Sequence, residues 1–305
     1  MGTLPMQADV LPPSDDRVFK LLLTSPKAKE ALMNLISAII GRRVVDVTIH
    51  ANELPAEDTH EKGERFDVNC TIDDGTQVNI EMQAWPMEED AGGLFLNLKW
   101  RGVYYLTDMH ASQYGKGVER YDRMAQSYQI TFCTYTIFQG LSSYVNSFSL
   151  RHDETGEQLC DAIHIVFVEL SKLGELLEKP VEQMTDLDKW AVFFQYAADP
   201  QKRQKVNEVI ESTEVLQVAG ELLMNISTNE DERARYRSRK KYEMDRRSDL
   251  ATAWDSGKVE GTINTTVRDI CNIMDSFNIS LDQAMAALKV PESERSRYKE
   301  MLQPQ

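Results

Sequence analysis

Hydrophobic and polar positions alternate with a period of two between residues 65 and 83. Phe66, Val68, Cys70 and Ile72 are apolar, whereas Arg65, Asp67, Asn69 and Thr71 are polar. The same parity holds for Val78, Ile80 and Met82 against Gln77, Asn79, Glu81 and Gln83. Such alternation predicts two half-buried strands. Opposed residues of a hairpin share a face, so polar must oppose polar. A two-residue loop at Asp74-Gly75 would pair odd positions with even ones. A three-residue loop, Asp73-Asp74-Gly75, keeps the match and gives Gly75 the left-handed position of a G1 bulge. That register sets Asp67 opposite Glu81 and Arg65 opposite Gln83.

The remaining pattern predicts a helix from about Arg17, capped by Asp15 or Asp16 and interrupted at Ser25-Pro26, with Gly41 as its stop. A short strand over 44–49 follows, then the hairpin and an amphipathic helix over 94–110. Further strands are expected over 129–138 and 163–170, with a second hairpin over 144–159 that turns near 153–156. This order implies an α/β (α+β) domain, a mixed central sheet flanked by helices. Beyond Leu173 only helices are expected: 186–198, 204–224, the charged stretches 231–247 and 249–261, 265–277, and a final pair over 280–288 and 292–302. The implied division is a flexible tail (1–14), a main domain (15–200), a charged helical extension (201–262) and a C-terminal helical pair (263–305).

Composition narrows the chemistry. The net charge of −15 opposes non-specific phosphate binding unless basic residues are gathered locally. One such gathering exists: residues 231–247 hold eight basic side chains against four acidic ones. They include Arg233, Arg235, Arg237, Arg239, Lys240 and Lys241, which either track phosphates or form a solvated helix face. The four cysteines form no CxxC pair, as expected of buried, reduced thiols rather than a disulfide frame or a zinc site. No secretory apolar segment and no membrane-length apolar run occurs, so a cytoplasmic protein is expected. The five histidines are dispersed, and no Ser-His-Asp elbow or phosphate-cradling glycine loop is present.

The polar face of the hairpin is the strongest candidate for chemistry. Two carboxylates opposed across a ladder repel, and a divalent cation between them reverses the sign. The alternative is a solvated polar face partly neutralised by Arg65. Glu81 and Gln83 lie two apart and share a face. A carboxylate from each strand suits a hard cation such as Mg²⁺, which stabilises charge on a phosphate. Gln83 is no general base, but it can hold a water molecule by hydrogen bonding.

The order helix, strand, Asp-bearing strand, Glu-x-Gln strand, helix, strand resembles the restriction-endonuclease-like PD-(D/E)XK core. More narrowly, the chain is similar to the PD-(D/E)XK nuclease-like transposase family, relatives of the recombination-promoting Rpn nucleases. The matching stretches are DRVFKLL (16–22), ERFDV (64–68), NIEMQ (79–83), RGVYYL (101–106), QYGKGVERYDRM (113–124), VFVELSKL (166–173), DLDKWAVF (186–193) and WDSGKVEGT (254–262). The resemblance implies a Mg²⁺- or Mn²⁺-dependent DNA endonuclease. Asp67, Glu81 and the Met82 carbonyl would be its metal ligands, and Asp67, Glu81 and Gln83 its catalytic set. Gln83 stands where many nucleases of the superfamily carry lysine. The alternative is a nuclease-like core that binds DNA or protein and no longer cuts. Asp16 is either an acidic contributor or a helix cap. Lys20 either offsets the missing lysine or lies on a solvated face. Gln113 and Tyr121 are expected to support the site or the DNA backbone, with packing as the alternative for Tyr121. The last helix pair is expected to serve self-association or to read DNA as a helix-turn-helix.

Overall fold

The computed structural model describes residues 2–50, 68–84, 93–115 and 118–302, with the side chains of 93–97 left out. These fall into two compact units, residues 1–236 and 237–305. The larger is built on a mixed six-stranded sheet of order β1-β2-β3-β4-β6-β5. Its strands are β1 (Val47–Ile49), β2 (Val68–Ile72), β3 (Gln77–Gln83), β4 (Ser127–Cys133), β5 (Val145–Ser149) and β6 (Ile163–Glu169). The β3–β4 and β4–β6 pairs are parallel, and the outer pairs are antiparallel.

The first hairpin takes the register that parity demands. Asn69 pairs with Asn79 and Thr71 with Gln77. Ile72 N–H donates to Thr76 O, and Gly75 N–H donates to Ile72 O at 2.9 Å. Gly75 sits at φ +88°, so the loop is Asp73-Asp74-Gly75 with glycine in the left-handed position. Arg65 and Asp67 lie outside the described residues.

The sheet has two unlike faces. Val78, Ile80 and Met82 of β3, with Ile130 and Phe132 of β4, point into the main core. Helices α1 (Asp16–Thr24), α2 (Lys29–Ile40), α4 (Asp186–Tyr196), α5 (Arg203–Glu211) and α6 (Glu214–Thr228) supply the rest of that core. Its centre is aromatic: Phe19 of α1 and Phe194 of α4 lie 5.1 Å apart, and each packs on Phe132. The opposite face carries α3 (Gly93–Ala111), the crossover helix between β3 and β4. Two parallel strands require such a crossover, and here it brings Leu98 against a second apolar cluster with Cys133, Ile137 and Phe167.

Three expectations are corrected by packing. Residues 2–14 are not a loose tail. Leu4, Val10 and Leu11 are buried, Arg203 Nη1 donates to Pro5 O, and Leu11 N–H donates to Ser227 Oγ. The predicted helix over 204–224 is two helices, because Thr213 adopts an extended conformation and caps α6 through Leu216 N–H. The charged stretches beyond 230 form one 48-residue helix, α7 (Glu230–Phe277), rather than separate segments. Asn229 Oδ1 accepts from Asp231 N–H and Glu232 N–H, which starts it. The second hairpin is short: Arg151 and Gln158 bridge around the turn, while β5 pairs with β6. Of the cysteines, Cys70 and Cys133 are buried but Cys160 is exposed.

In the smaller unit, α8 (Leu281–Ala287) and α9 (Glu292–Leu302) pack on the apolar stripe Ile263, Val267, Ile270 and Met274 of α7. The stripe advances by three or four residues, the spacing of one helical face.

The docked N-terminus makes a quantitative prediction. Leu4→Ala should cost about 2–4 kcal/mol in urea unfolding, because it empties a packed site. A dangling tail would give a change within about 0.5 kcal/mol.

Candidate active site

Glu81, Met82 and Gln83 occupy the carboxyl end of β3, opposite Thr131, Phe132 and Cys133 of β4. In open α/β sheets this end of the central strands is where ligands are held. Strand alternation sends Met82 into the aromatic core and turns Glu81 and Gln83 to the α3 face. There Glu81 is only 6% exposed. A buried carboxylate needs hydrogen bonds or a counter-charge.

Both come from neighbouring side chains. Arg101 Nη2, from α3, donates to Glu81 Oε1 at 2.5 Å. Gln83 Nε2 donates to the same oxygen at 2.7 Å and to Met82 O at 3.1 Å. Since both partners are acceptors, the amide nitrogen and not its oxygen must face them. A carboxylate oxygen and the next residue's carbonyl therefore converge on one point, which the amide nitrogen fills.

Tyr135, just beyond β4, is half-buried. Burial raises its phenol pKa; Cys133, Glu81 and Asp16 raise it further, and Arg101 opposes them. Asp16, Glu81 and Arg101 thus all lie within electrostatic range of the Tyr135 phenol. Phe19, three residues after Asp16, packs on Phe132, the strand neighbour of Met82. The cap of α1 is Asp15, whose carboxylate accepts from Arg17 N–H and Val18 N–H at 3.2 Å. Asp16 is thus the first helical residue and not the cap. Lys20, one turn further along α1, is half-buried.

The remaining sequence candidates lie elsewhere. Gln113 Nε2 donates to Ala125 O and Ser127 Oγ, and its Oε1 accepts from Ala125 N–H. It braces the start of β4. Ser127 is four residues from Thr131, the partner of Glu81, or about 13 Å along a strand. Tyr121 is exposed and stacks on Tyr114 at 5.0 Å, so packing in the core is not its role. Arg233 spends its guanidinium on Asp9 and on the carbonyls of Asp9 and Ser227. Arg235, Arg237, Lys240 and Lys241 are exposed along α7. Asp67 lies outside the described residues.

Arg101 and Tyr135 were not among the residues singled out from the sequence. For Arg101 the signal was available: it opens RGVYYL on the helix that must cross from β3 to β4. Tyr135 follows the strand with no pattern to mark it.

The donor set fits a hard divalent cation in kind. Glu81, Met82 O and Asp16 offer oxygens, which Mg²⁺ and Mn²⁺ prefer, and two of those oxygens already meet at a common point. Among the described residues no cluster of three His, Cys, Asp or Glu side chains is present.

A parallel β3–α3–β4 core with a Glu-x-Gln strand end, set in a mixed sheet flanked by helices, defines a mixed α/β protein. A family model described as PD-(D/E)XK nuclease family transposase matches residues 13–253, and the chain belongs to that family. Comparisons with curated proteins and with solved structures return no match. Among the described residues no helix is long and apolar enough to cross a membrane.

The brace at the start of β4 carries a pH prediction. His110 Nδ1 lies 3.0 Å from Ser127 Oγ and 3.3 Å from Gln113 Nε2. Burial holds its imidazole below the ordinary value. A depressed histidine contributes stability that is present above its unfolded pKa and lost as pH falls through the folded one. Unfolding free energy should therefore fall from about pH 7 to pH 5 more steeply in the wild type than in His110→Gln. Equal slopes would contradict this.

Proposed function

We propose that the chain is a divalent-metal-dependent endonuclease that hydrolyses DNA phosphodiesters. The observation that carries this reading is the meeting of Glu81 Oε1 and Met82 O on a single point at the end of β3, within a nuclease family. Asp67, Glu81 and the Met82 carbonyl would hold the ion, with Asp16 beside them. Mg²⁺ or Mn²⁺ bound there supplies a Lewis acid that acidifies water and neutralises charge growing on the phosphate.

The chain's own groups do the rest. Glu81 is held from two sides, by Arg101 and Gln83, which fixes its direction. Gln83 cannot accept a proton at neutral pH, so its amide orients water or phosphate and abstracts nothing. Tyr135 keeps its proton, since burial raises its pKa, and serves as a donor rather than a phenolate. The exposed cations Arg235, Arg237, Lys240 and Lys241 would follow the phosphate backbone. In that role each should contribute to a salt-dependent affinity without base preference.

One observation favours a second reading, a nuclease-like protein that binds but does not cut. Gln83 brings no positive charge to the transition state where lysine would.

The test is nicking of supercoiled plasmid in Mg²⁺, alongside far-UV circular dichroism. Asp67→Ala and Glu81→Ala should each lower the rate by roughly 100-fold or more with the fold retained. Unchanged cleavage in both variants would sink the assignment. Absence of cleavage and of Mn²⁺ binding in the wild type would support the second reading.

A further inference from the structure

Glu81 is buried, and one side chain that balances its charge comes from another element. Arg101 Nη2 lies 2.5 Å from Glu81 Oε1, the oxygen that also accepts from Gln83. The guanidinium is itself partly enclosed, and among the described residues its buried Nε has no hydrogen-bond partner. Arginine does not lose its proton, so this is a permanent positive charge against the carboxylate. A divalent cation on the same carboxylate would lie within a few ångströms of it, and like charges that close in a poorly hydrated site repel strongly. The two cations therefore compete for Glu81 Oε1, the oxygen that meets Met82 O at the amide of Gln83.

We infer that Arg101 is a resident counter-cation of the site, which holds Glu81 in its binding direction when no ion is bound and must be displaced when one binds. This inference rests on the metal-site reading given above. It makes metal loading of the site an exchange of cations. The ion meets a carboxylate already paired and oriented, not a charge without a partner. The guanidinium bears on the exchange, because among the described residues Arg101 gives up only its bond to Glu81 when it leaves. The connection is local: α3 follows β3 and leads into β4, so Arg101 is delivered to the strand end by the same crossover that sets the parallel pair.

The experiment is calorimetric titration of the full chain with Mn²⁺, for the wild type, Arg101→Gln and Arg101→Lys, with a thermal melt of each. Removing the competing charge should tighten Mn²⁺ binding by about tenfold in Arg101→Gln. The half-saturating Mg²⁺ concentration for plasmid nicking should fall by a similar factor. Arg101→Lys keeps the charge and the stem but not the fork, and should tighten binding by less. If Arg101→Gln does not fold, Arg101→Lys decides by the same titration. A side chain that merely supports the fold predicts the opposite pattern, lower melting temperature together with equal or weaker Mn²⁺ binding. That pattern, in a wild type that does bind Mn²⁺, overturns the inference and leaves the metal site standing. A wild type that takes up no Mn²⁺ overturns the metal-site reading, and the inference with it.

Discussion

The structure turns on one buried carboxylate. Glu81 lies on an interior strand, 6% exposed, where an ionised group without partners would cost several kcal/mol. Everything around it answers that cost. Gln83 is two residues along the same strand face and reaches back to it. Arg101 arrives from α3, which must lie on this face because β3 and β4 are parallel. A carboxylate so placed adds little to stability, since replacing a buried ion pair with apolar groups is often neutral or favourable. Its placement there is better explained by chemistry than by folding.

The two faces of the sheet divide the labour. On one, Phe19, Phe132, Phe194 and Trp190 form a rigid aromatic block that fixes α1 and α4 against the strands. On the other, a polar lane runs along the strands beneath α3: Asn79 Nδ2 donates to Gln129 Oε1 at 2.7 Å, with Thr131 next to it. The block supplies positional precision, and the lane carries the polar side chains that the proposed function uses. Asp16 is tied to the block, since Phe19, three residues on, is embedded in it. Precision matters here because catalytic and metal-binding groups lose their effect when displaced by an ångström or so.

Much of this was legible in the sequence, for definite reasons. The hairpin register followed from parity and from the single residue, Gly75, able to sit at positive φ in the turn. Helix α3 and the parallel strands followed from their apolar periods. What was not legible depended on long-range partners. The first residues read as polar and proline-bearing, yet Leu4 and Leu11 are held by Asn207 and Ser227, about two hundred positions away. The unity of α7 was hidden because glycines 257 and 261 weaken a helix without ending it. The cap of α6 at Thr213 was readable in principle, since Thr followed by Glu is a normal helix start. Arg101 carried a signal, as the first residue of RGVYYL on the crossover helix, but an ambiguous one: an arginine on an amphipathic helix reads as surface until the strand beneath it is known. Asp16 was ambiguous for the opposite reason, because two adjacent aspartates compete for one cap and only the backbone decides between them.

If the proposed function holds, the end of β3 is a cation site built on Glu81 and the Met82 carbonyl. Anomalous diffraction from crystals of the protein soaked in Mn²⁺ tests this. The expected result is an anomalous peak within coordination distance of a Glu81 carboxylate oxygen and of Met82 O, with Arg101 no longer on that oxygen. A peak elsewhere, or none there while the Arg101–Glu81 contact stays intact, would contradict it.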